Sequence, residues 1–306
     1  MDDYPRTLME FERRFATEKA CRAYLVQLRW PEGVRCHRCH SPSVWATTRH
    51  LYHCTFCGFQ TSVLTGTIFQ DTKADLRLWF RAMWYVTNQK SGVSALGLQR
   101  TLGLGSYRTA WTWLHKLRVA MVRPGRDRLA GEVEVDETYV GGPKPGKRGR
   151  GAVGKALVVV AAQVDGRRIG RIRLRRVPDA SAPHLERVVQ EAVEPDSVVR
   201  TDGLQSYSRL GARGYRHEVV RKEAALGDNL LPRVNRVVAL LKRWLLGVHQ
   251  GAIHPTHLDA YLDEFTFRFN RRPSRWRGKL FYRLVQQAVA VEPVPPRARQ
   301  RQPAVA

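Results

Sequence analysis

The sequence predicts a multidomain α/β protein, in which a small metal-binding module and a helical region precede a domain of mixed strands and helices. Four of the five cysteines form two closely spaced pairs near the N-terminus. Apolar residues recur at helical spacing before and after these pairs, and beyond Gly125 they change to the alternating and continuous runs typical of strands. A chain of 306 residues is long enough for two or three domains with full cores.

The composition indicates a soluble protein that binds a polyanion. The chain has 52 Lys and Arg residues against 27 Asp and Glu residues, a net charge of +25. Because the basic residues are spread over folded segments, nucleic acid is favoured over a membrane surface as the partner. No segment reaches the ~20 apolar residues of a membrane span, and the N-terminus lacks the pattern of a signal peptide. We therefore expect an intracellular protein with no membrane partner.

An N-terminal helix is predicted within residues 1–30. Its apolar stripe has helical spacing and consists of Leu8, Phe11, Phe15, Cys21, Leu25 and Leu28. Cys21 is expected to be a small buried residue of this stripe. The helix should end at Pro31-Glu32-Gly33, where the next module begins.

Residues 31–70 contain two Cys-x-x-Cys pairs and predict a zinc ribbon. In a reducing compartment this spacing is typical of metal ligands and not of disulfides. Four thiolates complete the tetrahedral shell of Zn²⁺ without an open position, so the predicted site is structural. The predicted ligands are Cys36, Cys39, Cys54 and Cys57. Four nearby histidines are alternative ligands but are expected to face solvent or phosphate: His37, His40, His50 and His53.

Residues 71–123 predict a helical DNA-binding region. A helix from Lys73 to Asn88, capped by Asp71-Thr72, precedes a shorter helix, a glycine-containing turn and a second helix that Ser106 caps. This is the arrangement of a helix-turn-helix, although an ordinary helical hairpin has the same pattern. The charge of the chain and the adjacent zinc module favour DNA binding. The candidate contacts at the start of the second helix are Tyr107, Arg108 and Thr112.

An acidic strand, Glu132 to Val140, stands out in so basic a chain. Its alternation puts four polar side chains on one face, those of Glu132, Glu134, Asp136 and Thr138, and apolar side chains on the other. Taken alone, this pattern fits an edge strand with a solvated acidic face. However, a second apolar run ends at Asp202-Gly203, so another carboxylate lies where a strand breaks into a turn. Two strand-borne Asp in a basic chain suggest divalent metal ions that act on nucleic acid phosphates.

The segment between these strands, residues 141–155, is predicted to be a mobile basic loop. It has six Gly, two Pro and five basic residues and no acidic one, so it cannot pack a core. A loop that is merely solvated is the alternative, but the position beside Asp136 favours a contact with the DNA backbone. The candidate contacts are Lys144, Lys147, Arg148 and Arg150.

The remaining elements predict how the two carboxylates meet. A hairpin turning at Asp165-Gly166, a helix over residues 181–193 and a strand over residues 197–202 allow the first and fourth strands to lie side by side. That arrangement would bring Asp136 and Asp202 together.

Two later helices complete this part of the prediction. In the helix that starts at Leu231, Asn235 and Lys242 are seven residues apart and share a face, where they could complete a metal and phosphate site. Each is also ordinary for a helix surface. A further amphipathic helix is predicted over residues 257–270, with three acids on its surface: Asp259, Asp263 and Glu264.

Together these features resemble the ISXO-like group of bacterial insertion-sequence transposases, which join a zinc ribbon to an RNase H-like catalytic domain. The resemblance extends over roughly residues 10–290. It rests on the four-cysteine module, on Asp202-Gly203, and on three longer segments: Val135–Gly142 (VDETYVGG), Leu241–Gly247 (LKRWLLG) and Tyr261–Arg272 (YLDEFTFRFNRR). It implies an RNase H-like domain at residues 130–250. C-terminal helices are predicted at 255–290, and the Pro- and Arg-rich composition predicts a disordered tail at 291–306.

The resemblance also implies a set of roles. Asp136 and Asp202 would hold two Mg²⁺ or Mn²⁺ ions, Asn235 would add a neutral oxygen, and Lys242 would contact a DNA phosphate. The implied reaction is cleavage at the element's ends and joining of the 3′-OH ends to target DNA by two-metal phosphoryl transfer.

The implied partner is double-stranded DNA, bound by a dimer or a larger assembly in the bacterial cytoplasm, in association with the nucleoid. Two alternatives remain open. One is a catalytically inactive DNA-binding protein that keeps the zinc ribbon and the helix-turn-helix. The other is an RNase H-like nuclease that acts on RNA–DNA hybrids or on junctions.

Overall fold

The computed structural model describes residues 3–123, 125–141, 155–220, 230–250 and 253–293. The chain forms two compact units, Met1–Pro124 with Ser274–Ala306, and Gly125–Pro273. The predicted DNA contacts Lys144, Lys147, Arg148 and Arg150, and the predicted tail from residue 294 onward, lie outside the described residues. No helix within the described ranges is long and apolar enough to cross a membrane.

In chain order the helices are α1 Leu8–Arg14, α2 Glu18–Arg29, α3 Leu76–Asn88, α4 Ala95–Leu102, α5 Tyr107–Ala120, α6 Ala182–Ala192, α7 Pro232–His249, α8 Pro255–Asn270 and α9 Gly278–Ala288. The strands are β1 Val44–Ala46, β2 Tyr52–Cys54, β3 Gln60–Thr61, β4 Glu132–Val140, β5 Ala156–Asp165, β6 Arg168–Val177, β7 Val198–Thr201 and β8 Arg216–Val219.

The N-terminal stripe of the first unit forms α1 and α2, and the prediction of a single helix was wrong. The side chain of Thr17 accepts a hydrogen bond from the N–H of Ala20, so a polar N-cap starts a new helix there. Most of the apolar stripe is the buried face, since Phe11, Cys21 and Leu25 are all buried, but Leu8 at its start is 55% exposed. Cys21 is therefore the small buried residue that its spacing predicts.

The helices after the zinc module form as predicted, with one shifted boundary. α3 begins at Leu76 because Asp75 caps it, and not Asp71-Thr72. The hydroxyl of Thr72 instead accepts a hydrogen bond from the indole N–H of Trp79 at 2.8 Å. Gly103, in the left-handed conformation, ends α4, and Ser106 caps α5 as expected.

The last helix, α9, belongs to the first unit and packs on α2, α3 and α5. The buried ring of Phe281 lies within 6 Å, centroid to centroid, of four aromatic rings in this unit: Phe11, Phe15, Phe80 and Trp84. The C-terminal end of the chain thus supplies part of the core around its N-terminal helices.

The second unit is built on a mixed sheet with the strand order β6-β5-β4-β7-β8. β4 is antiparallel to β5 and parallel to β7, so the expectation that the first and fourth strands of this unit are neighbours is confirmed. The acidic strand is the central one and not an edge. Apolar side chains of α6 pack with one face of the sheet, and those of α7 and α8 pack with the other.

Two features of this unit were not anticipated. β8, with the sequence Arg-His-Glu-Val, has no apolar alternation that would predict a strand. The acids of α8 were assigned to its surface, and for Glu264 this was wrong: it is 1% exposed and pairs with Arg268 at 2.8 Å. Asp263 is half-buried, while Asp259 pairs with Arg176 at 3.2 Å near the surface.

Candidate functional site

The first candidate site is a cluster of four thiols in the first unit. The Sγ atoms of the predicted ligands Cys36, Cys39, Cys54 and Cys57 all lie within 4.8 Å of one another. The Cys36–Cys57 and Cys39–Cys54 pairs are 3.5 and 3.6 Å apart. Sulfur atoms about 2.3 Å from a tetrahedral Zn²⁺ stand about 3.8 Å apart, so the cluster fits this ion. The four nearby histidines are not part of it, and the described ranges contain no other such group of Cys, His, Asp or Glu ligands.

Each Cys-x-x-Cys pair is folded as the same backbone knuckle. The N–H of His40 bonds to the carbonyl O of Cys36, and that of Gly58 bonds to the carbonyl O of Cys54, both at 3.0 Å. His40 and Gly58 both have positive φ, 58° and 70°. Backbone N–H groups, chiefly that of Cys39, lower the pKa of Cys36 to about 6. The backbone therefore favours the thiolate form of Cys36, which is the form that binds zinc. For Cys39 the N–H of Ser41 acts in the same direction, but burial and the other three thiols raise its pKa to about 12.

The second candidate site lies on the central strands of the second unit. Parallel pairing sets Glu132 opposite Val198 and Glu134 opposite Arg200. The pairing ends at Glu134 and Arg200. Continued two residues further, its register would place Asp136 level with Asp202, which directly follows β7. Asp136 shares the strand face of Glu132 and Glu134, and neighbouring strands are about 4.8 Å apart. The sheet thus places the two Asp on neighbouring strands, while their catalytic role stays a prediction.

A buried tyrosine gives independent support for this cluster of negative charge. Tyr207 lies in a 3-10 turn, Gln205–Tyr207, and its hydroxyl donates to Oε2 of Glu137 at 3.3 Å. Burial raises the pKa of Tyr207, and the charges of Glu137, Asp136 and Asp202 raise it further. The Glu137 carboxylate therefore contacts this hydroxyl, and the two Asp act on it through their charge. The sequence analysis missed Glu137 and Tyr207, for which the only signal is their closeness along the chain to the two Asp.

The turn after Asp202 requires glycine. Gly203 has φ of +87°, and a β-carbon there would stand 2.7 Å from Cγ1 of Val219 on β8. The N–H of Leu204 donates to Oδ1 of Asp202 at 3.0 Å, so that the carboxylate is held in an Asx turn. The Asp-Gly pair thus fixes the end of β7 and the direction of its carboxylate.

Helix α7 runs over the sheet in the same direction as β4. At its start the guanidinium of Arg233 donates to the carbonyl O of Gly166 at 2.9 Å, in the turn near the beginning of β4. Further along, partial burial and the charge of Lys155 lower the pKa of Lys242. Lys155 directly precedes Ala156 of β5, which pairs with Val140 at the end of β4. Asn235 thus lies toward the start of β4 and Lys242 toward its end.

The flank of α7 that carries Asn235 and Lys242 faces β7. Both residues are exposed. Trp244 contacts Phe265 of α8, with ring centroids 5.7 Å apart. Since Trp244 comes nine residues after Asn235, about two and a half turns, the two point to opposite flanks. α8 packs on β6, at the other end of the strand order, so the Asn235 flank is turned toward β7 and Asp202.

The predicted DNA contacts of the first unit lie at the start of α5. Tyr107 is 49% exposed, Arg108 is exposed as well, and Thr112 is half-buried. α4 and α5 pack against each other across their short turn. Tyr107 and Arg108 are accessible to a partner, Thr112 only in part, and their role in DNA binding stays a prediction.

Two family models match the segments of the chain that contain the two candidate sites. Residues 128–270 match a family model for an ISXO2-like transposase domain, and residues 16–60 match one for a transposase zinc-ribbon domain. An uncharacterized protein in the transposable element ISH50 of Halobacterium salinarum is 26% identical over 277 residues, 84% of this chain and 92% of that protein. A chain in the cryo-EM structure of the simian T-cell lymphotropic virus intasome with PP2A regulatory subunit B56 gamma is similar over 66% of this chain and 73% of that chain, at 14% identity and a TM-score of 0.34.

Proposed function

The chain is a member of the transposase family, with a transposase zinc-ribbon domain and an ISXO2-like transposase domain, and we propose that it cleaves the ends of its insertion sequence and joins the 3′-OH ends to target DNA. The observation that carries this proposal is the parallel pairing of β4 and β7, whose register, continued two residues beyond Glu134 and Arg200, would align Asp136 with Asp202. We further propose an RNase H-like fold for residues 130–250 and a DNA-binding helix-turn-helix within residues 71–123.

The residues of the second site fit a pair of hard divalent cations. Asp136 and Asp202 offer carboxylate oxygens and Asn235 a carboxamide oxygen, which are the donors that Mg²⁺ and Mn²⁺ prefer. The charges of Asp136 and Asp202 both act on the hydroxyl of Tyr207, which supports a concentration of negative charge that a cation would offset. When bound, two such ions supply Lewis-acid stabilisation of the attacking and leaving oxygens of an in-line displacement at phosphorus.

The protein's own groups then have separate tasks. Asp136 and Asp202 would hold the ions from two neighbouring strands, and the Asx turn at Leu204 keeps the Asp202 carboxylate in place. Asn235 contributes a neutral oxygen from α7, and Lys242, seven residues later on the same flank, contacts a DNA phosphate. The zinc ribbon and the start of α5 hold the ends of the element. Joining two ends at one target requires an assembly of at least two chains on the DNA.

A strand-transfer assay tests the proposal. The full chain is given DNA with the element's own ends, in Mg²⁺, Mn²⁺ or EDTA, beside Asp136→Asn and Asp202→Asn. We expect joined products only with metal, and only from the wild-type protein, while both variants still bind the ends. Glu132→Gln is the matched control, because Glu132 shares the strand and the face of Asp136 but pairs with Arg200; it should remain active.

Two outcomes would contradict the proposal. Equal loss of DNA binding and cleavage in the Asp variants would remove the assigned roles. Binding of the ends by the wild-type chain without cleavage in either metal would indicate a DNA-binding protein without transposase activity.

The role of Lys242 has its own measurement. Lys242→Met keeps most of the length of the unbranched side chain and removes its charge. We expect the dependence of log affinity on log salt concentration to become shallower by about one phosphate contact. The control is Arg187→Met, at an exposed position of α6, which should leave the slope unchanged. An unchanged slope for Lys242→Met would contradict the proposed contact with a phosphate.

A further inference from the structure

Helix α7 begins without a capping side chain of its own. Its N-cap residue is Leu231 and its first residue is Pro232, which has no N–H. The N–H of Asn235 already bonds to the carbonyl O of Leu231 at 2.9 Å. The donors that need a partner at this helix end are therefore the N–H groups of Arg233 and Val234.

Both donors bind one carboxylate from the central strand. Oε2 of Glu134 accepts from the N–H of Arg233 at 2.7 Å and from that of Val234 at 3.0 Å. Its Oε1 accepts from the guanidinium of Arg233 at 3.2 Å. Glu134 is only 1% exposed, and a carboxylate at the positive end of a helix makes strong, charge-assisted bonds. This one side chain thus fixes where α7 starts on the sheet.

Glu134 is adjacent to both halves of the candidate site. On β4 it comes two residues before Asp136, on the same face and about 6.6 Å away along the strand. On α7 it binds Val234, which directly precedes Asn235. A slide of α7 by one residue would move Asn235 about 1.5 Å along the helix axis and turn it by about 100°. The position of Asn235 relative to Asp136 therefore depends on the bonds of Glu134.

We propose that Glu134 is a positioning residue, which docks the first turn of α7 on β4 and so sets Asn235 at the distance from Asp136 that a shared metal site requires. This inference rests on the proposed function. Glu134 acts through α7 and does not itself touch the metals or the DNA.

A neighbouring glutamate provides the matched control. Glu132 is on the same strand and face, but it pairs with Arg200, which also binds Glu218 at 2.8 Å. These partners belong to the sheet and not to α7. Replacing Glu132 therefore changes the charge on the same strand face without removing a bond to the helix.

The test is a double-mutant cycle read from metal binding. The full-length wild type, Glu134→Gln, Asn235→Ala and the double variant are titrated with Mn²⁺ alone and followed by electron paramagnetic resonance, with Asp136→Ala as the background. We expect Glu134→Gln to weaken binding about 10-fold, as for residues that orient metal ligands. In the Asn235→Ala protein it should add less than about 2-fold, because the contribution of Asn235 is already lost. Glu132→Gln should have no effect in either background.

The inference would be overturned if the fold-losses of Mn²⁺ affinity in the two single variants multiplied in the double variant. Unchanged Mn²⁺ binding in Glu134→Gln would overturn it as well. Glu134→Asp is a second variant that keeps the charge and shortens its reach, so the cycle can be completed if the Gln variant does not fold. We expect the same weakening, again absent in the Asn235→Ala background.

Cleavage by the same proteins separates this inference from the proposed function. If the wild type cleaves the element's ends, but the losses of Mn²⁺ affinity in the two single variants multiply in the double variant, the inference fails and the function stands. If the wild type does not cleave, the function fails, and the Mn²⁺ cycle still decides on Glu134 because it needs no activity. Absence of Asp136-dependent Mn²⁺ binding by the wild type would overturn the inference as well.

Discussion

The carboxamide of Asn270 bonds to both backbone groups of Ile172. Its Oδ1 accepts from the N–H at 2.7 Å, and its Nδ2 donates to the carbonyl O at 3.1 Å. A residue of a neighbouring antiparallel strand would make the same exchange, so the end of α8 covers the outer edge of β6. Arg272 continues this cover by donating to the carbonyl oxygens of Gly170 and Ile169. The segment around Asn270 thus has a structural role in the second unit.

We expect Asn270→Ala to lower the free energy of unfolding of the second unit by about 1–3 kcal/mol, because two backbone groups lose their partner. Urea-dependent hydrogen exchange of β5 and β6 peptides measures this in the full chain. Gln190→Ala, which removes an exposed carboxamide from α6, is the control and should stay within about 0.5 kcal/mol of the wild type. Equal effects of the two variants would show that the Asn270 bonds contribute nothing.

Gly203→Ala should destabilise the second unit more than Gly214→Ala. Both glycines have φ of +87°, but only at Gly203 would a β-carbon meet another atom, Cγ1 of Val219. Left-handed strain costs each variant about 1 kcal/mol, and the clash should add about 1–3 kcal/mol at Gly203. Val219→Ala should restore most of this difference in the double variant. Urea-dependent hydrogen exchange measures the free energy of unfolding of each variant. Equal losses of this free energy in Gly203→Ala and Gly214→Ala would contradict the clash.

The stability of the second unit should fall as the pH rises from about 4 to about 6. Burial raises the pKa of Asp263 to about 6, against the opposing effect of Arg126 and Arg175. The native state holds this proton more tightly than the unfolded chain, so ionisation above the unfolded pKa disfavours folding. Asp263→Asn should flatten this slope and raise the free energy of unfolding at pH 7 by about 1–2 kcal/mol.

The control for this pH dependence is Asp259→Asn. Asp259 lies one turn earlier on α8 and pairs with Arg176 near the surface. Urea unfolding from pH 4 to 8 gives the slope for each protein. A slope that persists in Asp263→Asn would contradict the assignment to this group.

Cys39→Ser should release the zinc ion of the ribbon. Three thiolates and a hydroxyl bind zinc more weakly than four thiolates, and the small sheet β1-β2-β3 depends on the ion for its stability. We expect about one zinc per wild-type chain by elemental analysis, a large loss in the variant, and weaker binding of the element's ends. Cys21→Ala removes a buried thiol outside the cluster and should keep the metal. Zinc retained by Cys39→Ser would contradict the four-cysteine site.

Local patterns predicted the zinc module and the shared flank of Asn235 and Lys242. Each Cys-x-x-Cys pair and the period of α7 lie within a short stretch of sequence, which is the range over which such patterns are informative. The adjacency of β4 and β7 was instead predicted from the order of strands and helices along the chain. The break at Thr17 was missed because the apolar stripe continues across it, although Thr is itself a capping residue.

The remaining features depend on contacts between distant parts of the chain. Glu134 looked like one more acid on a strand face, since its partners at the start of α7 are 99 and 100 residues away. Glu264 was assigned to the surface because a charged residue is usually exposed, and the sequence does not show the packing that buries it. β8 is recognised only by its pairing with β7, as expected for a short strand without an apolar pattern.

The return of α9 to the first unit has a consequence for the order in which the protein is made. Phe281 fills the core around Phe11 and Phe80, yet a ribosome reaches it only after the whole of the second unit has been synthesised. The N-terminal helices therefore lack this cover until residue 281 has been translated. A prematurely terminated product that includes the zinc ribbon but ends before residue 278 lacks this part of its core. Such a fragment would be exposed to proteases and would make a poor competitor for the DNA that the finished chain binds.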